Sequence, residues 1–501
     1  MTSVDLNAVA TETAPPKPAP SLTKRAVRGA AWTLPTSLGT RVFGLVGTLL
    51  LARYIAPTEY GEYAAASIVA MSANTLTTFG IGTYLVATPG LTRDDVFHAS
   101  CWFLGTGVLA VAGALSVIGP LAGWFGAPSA ARFVPILVLT MAIERVIYLP
   151  ERMLVRQLKF GRLSIARTAG ELMFTGMAVA LAMAGGGAMS IVWAGLARTA
   201  LRFVAIMPAV DRREWFEPHP LRLATMGRVV GYGVNVSLAA AANFAMRRWD
   251  NLLVSRFFGP AVMGAYNFAY NLADTPATAV GEQIGDVIAA SFPHVGEANR
   301  ASSLVRACTM MSLIMFPLAF GLSAVAPTVV KAFFDQRWAG IGAMLVYLSV
   351  LAAPRPITDI LMSYFYARKR PGLVQLLEWL SLAGIVVSIW TVGRFGIDWT
   401  CAGVASVFVF RSLAAMYVVQ RLDGVKVSRF LLPMTGPFLA SAVMVAAVLA
   451  TRSTVAGLSP LVQLLIEICV GGIVYVAAAL VLARSTFLDI FTLLRSALHR
   501  G

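Results

Sequence analysis

Leu49-Leu50, Arg53, Pro57, Gly61, Tyr63, Ala66, Ala70, Thr75, Ile81 and Gly82 return 203 residues later as Leu252-Leu253, Arg256, Pro260, Gly264, Tyr266, Ala269, Ala273, Thr278, Ile284 and Gly285. The register holds without a gap across two apolar segments and the turn between them. The chain therefore reads as an internal duplication, and its function is to be sought between two related halves.

The 501 residues are 58% hydrophobic and 13% charged, against roughly 25% charged in soluble domains. Apolar stretches near the roughly 18–20 residues needed to cross hydrocarbon recur from residue 29 to residue 483, and fourteen can be delimited. This predicts an all-α polytopic membrane protein with about fourteen transmembrane helices. An even number of spans separates helix 1 from helix 7, so both copies cross in the same direction and are related by a pseudo-twofold axis along the membrane normal. The expected layout is a six-helix lobe over 29–210, a cytoplasmic linker at 211–228 and a second six-helix lobe over 229–421. Helices 13 and 14 follow at 422–484.

Residues 1–28, with prolines clustered between Ala14 and Pro20 and then Lys24, Arg25 and Arg28, are expected to form a disordered cytoplasmic tail. Residues 485–501 read as an amphipathic cytoplasmic tail, with Phe487, Ile490, Phe491, Leu494 and Leu498 on one face. With both termini inside, the tails and inner loops hold 23 Lys and Arg and the outer loops hold seven. The net charge of +16 thus mostly encodes orientation in the membrane. Nucleic-acid binding is a poor use of basic residues scattered over short loops.

Cys101, Cys308, Cys401 and Cys469 stand singly, with no metal spacing and no evident disulfide pair. No P-loop, HExxH or GxSxG occurs, and the outer loops, such as Arg53–Tyr60 and Gly185–Gly187, are short. An enzyme is disfavoured. Two lobes rocking about a central cavity predict a transporter working by alternating access.

At Gly29-Ala-Ala-Trp32, at Leu50-Leu-Ala-Arg53 with Pro57, Glu59, Tyr60 and Gly61, and at Arg248-x-Asp250-Asn-Leu-Leu with Gly259, Pro260, Gly264 and Tyr266, the chain resembles a known group. It is similar to the Wzx-type polysaccharide and lipid-linked oligosaccharide flippases of the multidrug/oligosaccharidyl-lipid/polysaccharide exporter superfamily. The resemblance covers about residues 24–485. It implies transfer of an undecaprenyl-diphosphate-linked oligosaccharide for exopolysaccharide, capsule or O-antigen synthesis, with a polysaccharide polymerase and a chain-length regulator as partners. It implies no cofactor, although a proton or sodium gradient could drive the step.

Ionisable residues within spans are costly and tend to face a cavity or a partner. Arg41, Arg145, Arg198, Arg202, Arg247, Arg248, Arg355 and Arg411 are the candidate intramembrane arginines. An arginine fork suits a diphosphate, and Arg41, Arg247, Arg248 and Arg355 are the expected cavity ligands. Arg247 and Asp250, at i and i+3, could pair with each other. Asp274, in Asn271-x2-Asp274-Thr275-Pro276, is the first candidate for ion coupling and Asp250 the second. Arg53, Pro57, Gly61 and Tyr63, with Arg256, Pro260, Gly264 and Tyr266, are expected to be architectural. Trp249, between Arg248 and Asp250, is a candidate to stack on sugar, with core packing the simpler reading. The halves differ most where Arg247-Arg248-Trp249-Asp250 replaces Gly44-Leu45-Val46-Gly47. Competing readings are a lipid II flippase, an ion-coupled drug or cation antiporter, and, in a different class, a membrane-embedded polymerase or ligase.

Overall fold

The structure, a computed structural model, describes residues 43–488 except 45, 79, 89, 277–296 and 485. Arg41, Trp32, the amino-terminal tail and most of the carboxy-terminal tail lie outside the described residues. Within them the chain is helical and contains no strand. The helices are α1 (46–54), α2 (Pro57–Leu76), α3 (Ile81–Ala87), α4 (Arg93–Trp124), α5 (Val134–Arg156), α6 (Phe160–Met183), α7 (Met189–Ile206) and the short α8 (Arg212–Trp215). There follow α9 (Leu223–Pro276), α10 (Glu297–Phe333), α11 (Ile341–Ser349), α12 (Pro354–Ala367), α13 (Pro371–Val392), α14 (Ile397–Asp423), α15 (Val427–Val455) and α16 (Pro460–Leu482). Val108, Ile165, Ile473 and Val481 are each about 70–80% exposed (68%, 72%, 70% and 79%). Such surfaces belong against lipid tails rather than water.

Two expected spans are broken, the second at 61–86 and the tenth at 338–365. The second divides into α2 and α3 because Arg145 of α5 inserts its guanidinium at the end of α2. It donates to the carbonyls of Asn74 at 2.9 Å and Thr77 at 3.3 Å, the negative end of the helix, where a cation replaces the missing backbone donors. Gly80, at φ 56°, then turns the chain into α3. The tenth span divides into α11 and α12 at Pro354, which has no N–H to continue the ladder and follows a 3-10 turn at Val350–Ala352.

α9 carries two spans folded back on one another about Gly259, whose φ of 83° and ψ of 171° are open to glycine and strained for other residues. Hydrogen bonds between residues 16 apart, Tyr266 to Asp250 and Asn267 to Asn251, join the two arms. Pro57 and Pro260 occupy the same place in the duplication. Each starts the second helix of its hairpin, where the missing N–H is not needed.

Packing differs between the two ends of the molecule. At the Arg53 end one continuous buried cluster takes residues from both halves, among them Ala64, Ile118 and Met141 from the first and Met263, Tyr266, Leu345 and Phe408 from the second. At the opposite end there are two separate clusters. Ile81, Phe103, Leu149 and Trp215 belong to one, and Met311, Ile360, Phe365 and Phe430 to the other. The halves are fused at one end and parted at the other.

α15 and α16 are tied to the second half by a buried carboxylate. Glu467, fully buried, accepts from Thr328 of α10 at 3.0 Å, from Gln463 at 2.9 Å and from Arg452 of α15 at 3.3 Å. Arg452 also donates to the carbonyl of Ala324.

Candidate transport cavity and its closed end

The fused end is built on the repeated glycines. A Cβ on Gly61 would collide with the carbonyl oxygen of Pro260, and one on Gly264 with that of Pro57. Each would also come within 3.0 Å of the other glycine's nitrogen. The contact is reciprocal, as a twofold relation requires, and the helix backbones touch because neither position carries a side chain. Three hydrogen bonds between the halves reinforce it. Tyr60 donates to Asn267 Oδ1 at 3.3 Å, Trp249 Nε1 to Ser72 Oγ at 3.0 Å and Ser255 Oγ to the carbonyl of Phe125 at 2.8 Å. Outermost, Arg337 donates to the Arg53 carbonyl at 2.9 Å. Its hydrogen bonds to Asp335 hold that carboxyl below its ordinary range. Arg53 and Arg256 themselves are exposed, as interfacial anchors would be.

Beyond this contact a cavity of about 1370 Å³ opens between the halves, larger than the roughly 300–1,000 Å³ typical of small-molecule sites. Met71 and Thr75 of α2 and Thr83 of α3 form one wall. Asn243, Arg247 and Arg248 of α9, Asp359 and Tyr366 of α12, and Gln375 and Glu378 of α13 form the rest. Arg248 Nη1 donates to Asn271 Oδ1 at 3.0 Å, and no described carboxylate pairs with it. Arg247 faces Asp359 at 3.7 Å. Glu378 is neutralised by Arg411 from behind and accepts from Asn243 at 3.1 Å.

The expected site residues separate accordingly. Arg247 and Arg248 line the cavity together. Arg355 does not: it is 1% exposed, pairs with Asp274 and donates to the Tyr270 hydroxyl at 2.7 Å. Asp274 is thereby engaged by an arginine instead of standing open to an ion. The Arg247 to Asp250 pair that the i, i+3 spacing allows is not formed, because α9 turns Arg247 toward α12 and Asp250 toward its own second arm. Trp249 packs between the halves rather than facing the cavity. Arg198 and Arg202 are held by Glu171 at 3.2 Å and by Glu151. The repeated tyrosines have diverged: Tyr63 stacks edge-on against Phe133, while Tyr266 donates to Asp250 at 2.8 Å.

A chain of asparagines escaped the sequence reading. Asn251, Asn267 and Asn271 are linked at 2.9 and 2.8 Å. The signal was available in Asn267 and Asn271, four residues apart on a mostly apolar helix, which share a face.

A family model described as polysaccharide biosynthesis protein matches residues 50–343, more than half of the chain. The chain belongs to the polysaccharide biosynthesis protein family. This family member is 24% identical over 481 residues to the succinoglycan biosynthesis transport protein ExoT of Rhizobium meliloti (strain 1021), covering 92% of this chain and 94% of that one. It is 24% identical over 440 residues to the teichuronic acid biosynthesis protein TuaB of Bacillus subtilis (strain 168), covering 85% and 88%. Among solved structures, the lipid II flippase MurJ in an inward closed conformation aligns over 92% of this chain and all of its own, with a TM-score of 0.74 at 14% identity. That likeness establishes a shared fold and supports the two-lobed, many-helix architecture read from the duplication.

Proposed function

We propose that this polysaccharide biosynthesis protein is a transporter that moves an undecaprenyl-diphosphate-linked oligosaccharide across the bacterial inner membrane by alternating access. The observation that carries the proposal is the cavity between the lobes: large, lined by Arg247 and Arg248, and shut at one end by the glycine contact. A diphosphate calls for arginine forks and a glycan for a roomy polar chamber. The names of ExoT and TuaB, both tied to the synthesis of surface polymers, support a glycan cargo.

With the positive loops inside, the closed end faces outward and the cavity faces the cytoplasm, where the precursor is loaded. Both termini are then cytoplasmic. Arg41, Arg247 and Arg248 receive the diphosphate, and Arg355, paired with Asp274, is released only if the lobes rearrange. A proton or sodium gradient drives the return, with Asp274 or Asp250 as the coupling group. A polysaccharide polymerase and a chain-length regulator take the cargo on the outer side.

The test is deletion of the gene, with surface polysaccharide and lipid-linked intermediates measured. Loss of the polymer with accumulation of the intermediate on the cytoplasmic leaflet is expected. Unchanged surface polymer overturns the reading. A lipid II cargo is the second reading, because the fold is shared with the lipid II flippase MurJ. Rescue of cells depleted of their lipid II flippase would select it.

A further inference from the structure

Asp250 lies on α9 behind the glycine contact and is 1% exposed. Its Oδ2 accepts from the Tyr266 hydroxyl at 2.8 Å. Its Oδ1 accepts from the backbone N–H of Asn251 at 2.9 Å and from that residue's side-chain amide at 2.8 Å. No described cation forms an ion pair with it. The arginines around it are directed elsewhere: Arg248 to Asn271, Arg247 toward Asp359, Arg355 to Asp274 and Arg411 to Glu378. The remaining titratable groups facing this spot are Tyr270 of the second arm and Cys401 of α14, while Tyr60 of α2 reaches it only through the asparagines.

A buried carboxylate with only neutral partners is strongly disfavoured as an anion, and binding a proton removes the charge. The contacts also speak against a metal ion. They are O–H and N–H donors, one of them a backbone N–H that no amide flip can reverse, whereas hard cations require oxygen ligands. The Tyr266 hydroxyl can turn from donor to acceptor and share a proton placed on Oδ2.

The position is connected to both working parts of the molecule. Asn251 Oδ1 accepts from Asn267, and Asn267 Oδ1 accepts from Asn271 and from Tyr60, the residue before Gly61. Asn271 Oδ1 accepts from Arg248 in the cavity wall. One ladder therefore joins Asp250 to the cavity arginine and to the closed end. At the same offset of 203 residues the first half has Gly47, Thr48, Ala64 and Ile68 in place of Asp250, Asn251, Asn267 and Asn271. The device exists in one lobe only.

We propose that Asp250 is a proton-binding site, occupied while the Gly61 and Gly264 backbones touch and emptied to water when they separate. Parting of α2 from the second arm of α9 breaks the Tyr60 to Asn267 bond and wets the ladder. The carboxyl then gives up its proton to water and remains as a hydrated carboxylate. Reclosure requires that a proton be taken back. The use of this site in transport rests on the transporter reading, but its occupancy does not.

The test uses the full-length protein in lipid nanodiscs. Infrared difference spectra should show a protonated-carboxyl carbonyl stretch at neutral pH that is lost in Asp250→Asn and shifted in Tyr266→Phe. Spin labels on cysteines at Thr58 and Ala261, exposed positions beside the glycine contact, should report a distance that widens as pH rises. Asp250→Asn should hold it short at every pH. A band that persists unchanged in Asp250→Asn, or a distance whose pH response survives the substitution, overturns the proposal. So does a band that sodium removes at constant pH. If Asp250→Asn does not fold, an unshifted band in Tyr266→Phe has the same force. A band that behaves as expected in a protein whose deletion leaves surface polymer intact supports the site and removes the proposed cargo instead.

Discussion

Arg248 is the side chain on which cargo recognition most depends. It lines the cavity, no described carboxylate neutralises it, and a single amide oxygen holds it in place. Arg248→Ala should weaken head-group binding about 10- to 100-fold, since hydrogen bonds to charged groups contribute about 1.5–3 kcal/mol. Arg248→Lys should recover only part, because the ammonium keeps the charge and loses the fork. Polysaccharide export in a complemented deletion strain, set against the amount of inserted protein, measures both. Arg411 makes the opposite case. It is 3% exposed and neutralises Glu378, so Arg411→Met should cost about 3–5 kcal/mol by leaving a buried carboxylate unpaired. The double variant Arg411→Met/Glu378→Leu should regain most of that stability. Thermal unfolding in detergent distinguishes the two variants. Sequence identified both arginines as intramembrane cations and could not tell them apart. Their difference lies in which neighbouring helix each side chain meets.

Between elements, the contact of α2 with the second arm of α9 controls the outer closure. Gly61→Val or Gly264→Val should wedge the helices apart, because the added atoms meet backbone carbonyls that cannot rotate away. Overpacking of this kind costs about 1–3 kcal/mol, which shifts the closed population by a factor of roughly 5–150. Spin labels at Thr58 and Ala261 should then report a longer mean distance than in the parent protein. The break between α2 and α3 has a similar lesson. Hydropathy carries straight through residues 61–86, and the arrival of Arg145 at the carbonyls of Asn74 and Thr77, with Gly80 turning the chain, ends the helix there. Gly259, by contrast, falls in the turn that the sequence leaves between two apolar stretches, whereas the break at Pro354 divides residues 338–365, read as one span, although proline lacks the N–H to continue a helix.

For the whole molecule, one shared buried cluster at one end and two separate clusters at the other describe a protein hinged at its closed end. If transport requires the closed end to open, a short thiol-reactive cross-linker joining cysteines at Thr58 and Ala261 should abolish export. A cleavable version should restore it on reduction. Export that continues while cross-linked would remove alternating access from the account. The sequence by itself determined the membrane class, the duplication and the parallel relation of the halves, because these follow from hydropathy, spacing and helix parity. It also marked Pro57, Gly61, Pro260 and Gly264 as repeated. Only the tertiary structure decided that those glycines touch each other across the pseudo-twofold relation, that Arg355 meets Asp274, and that Asp250 is hydrogen-bonded only to neutral groups behind the contact. The physical reason is that such pairings join residues some 16 to 200 positions apart, and side-chain partners at that separation are set by how helices pack, which no local pattern records.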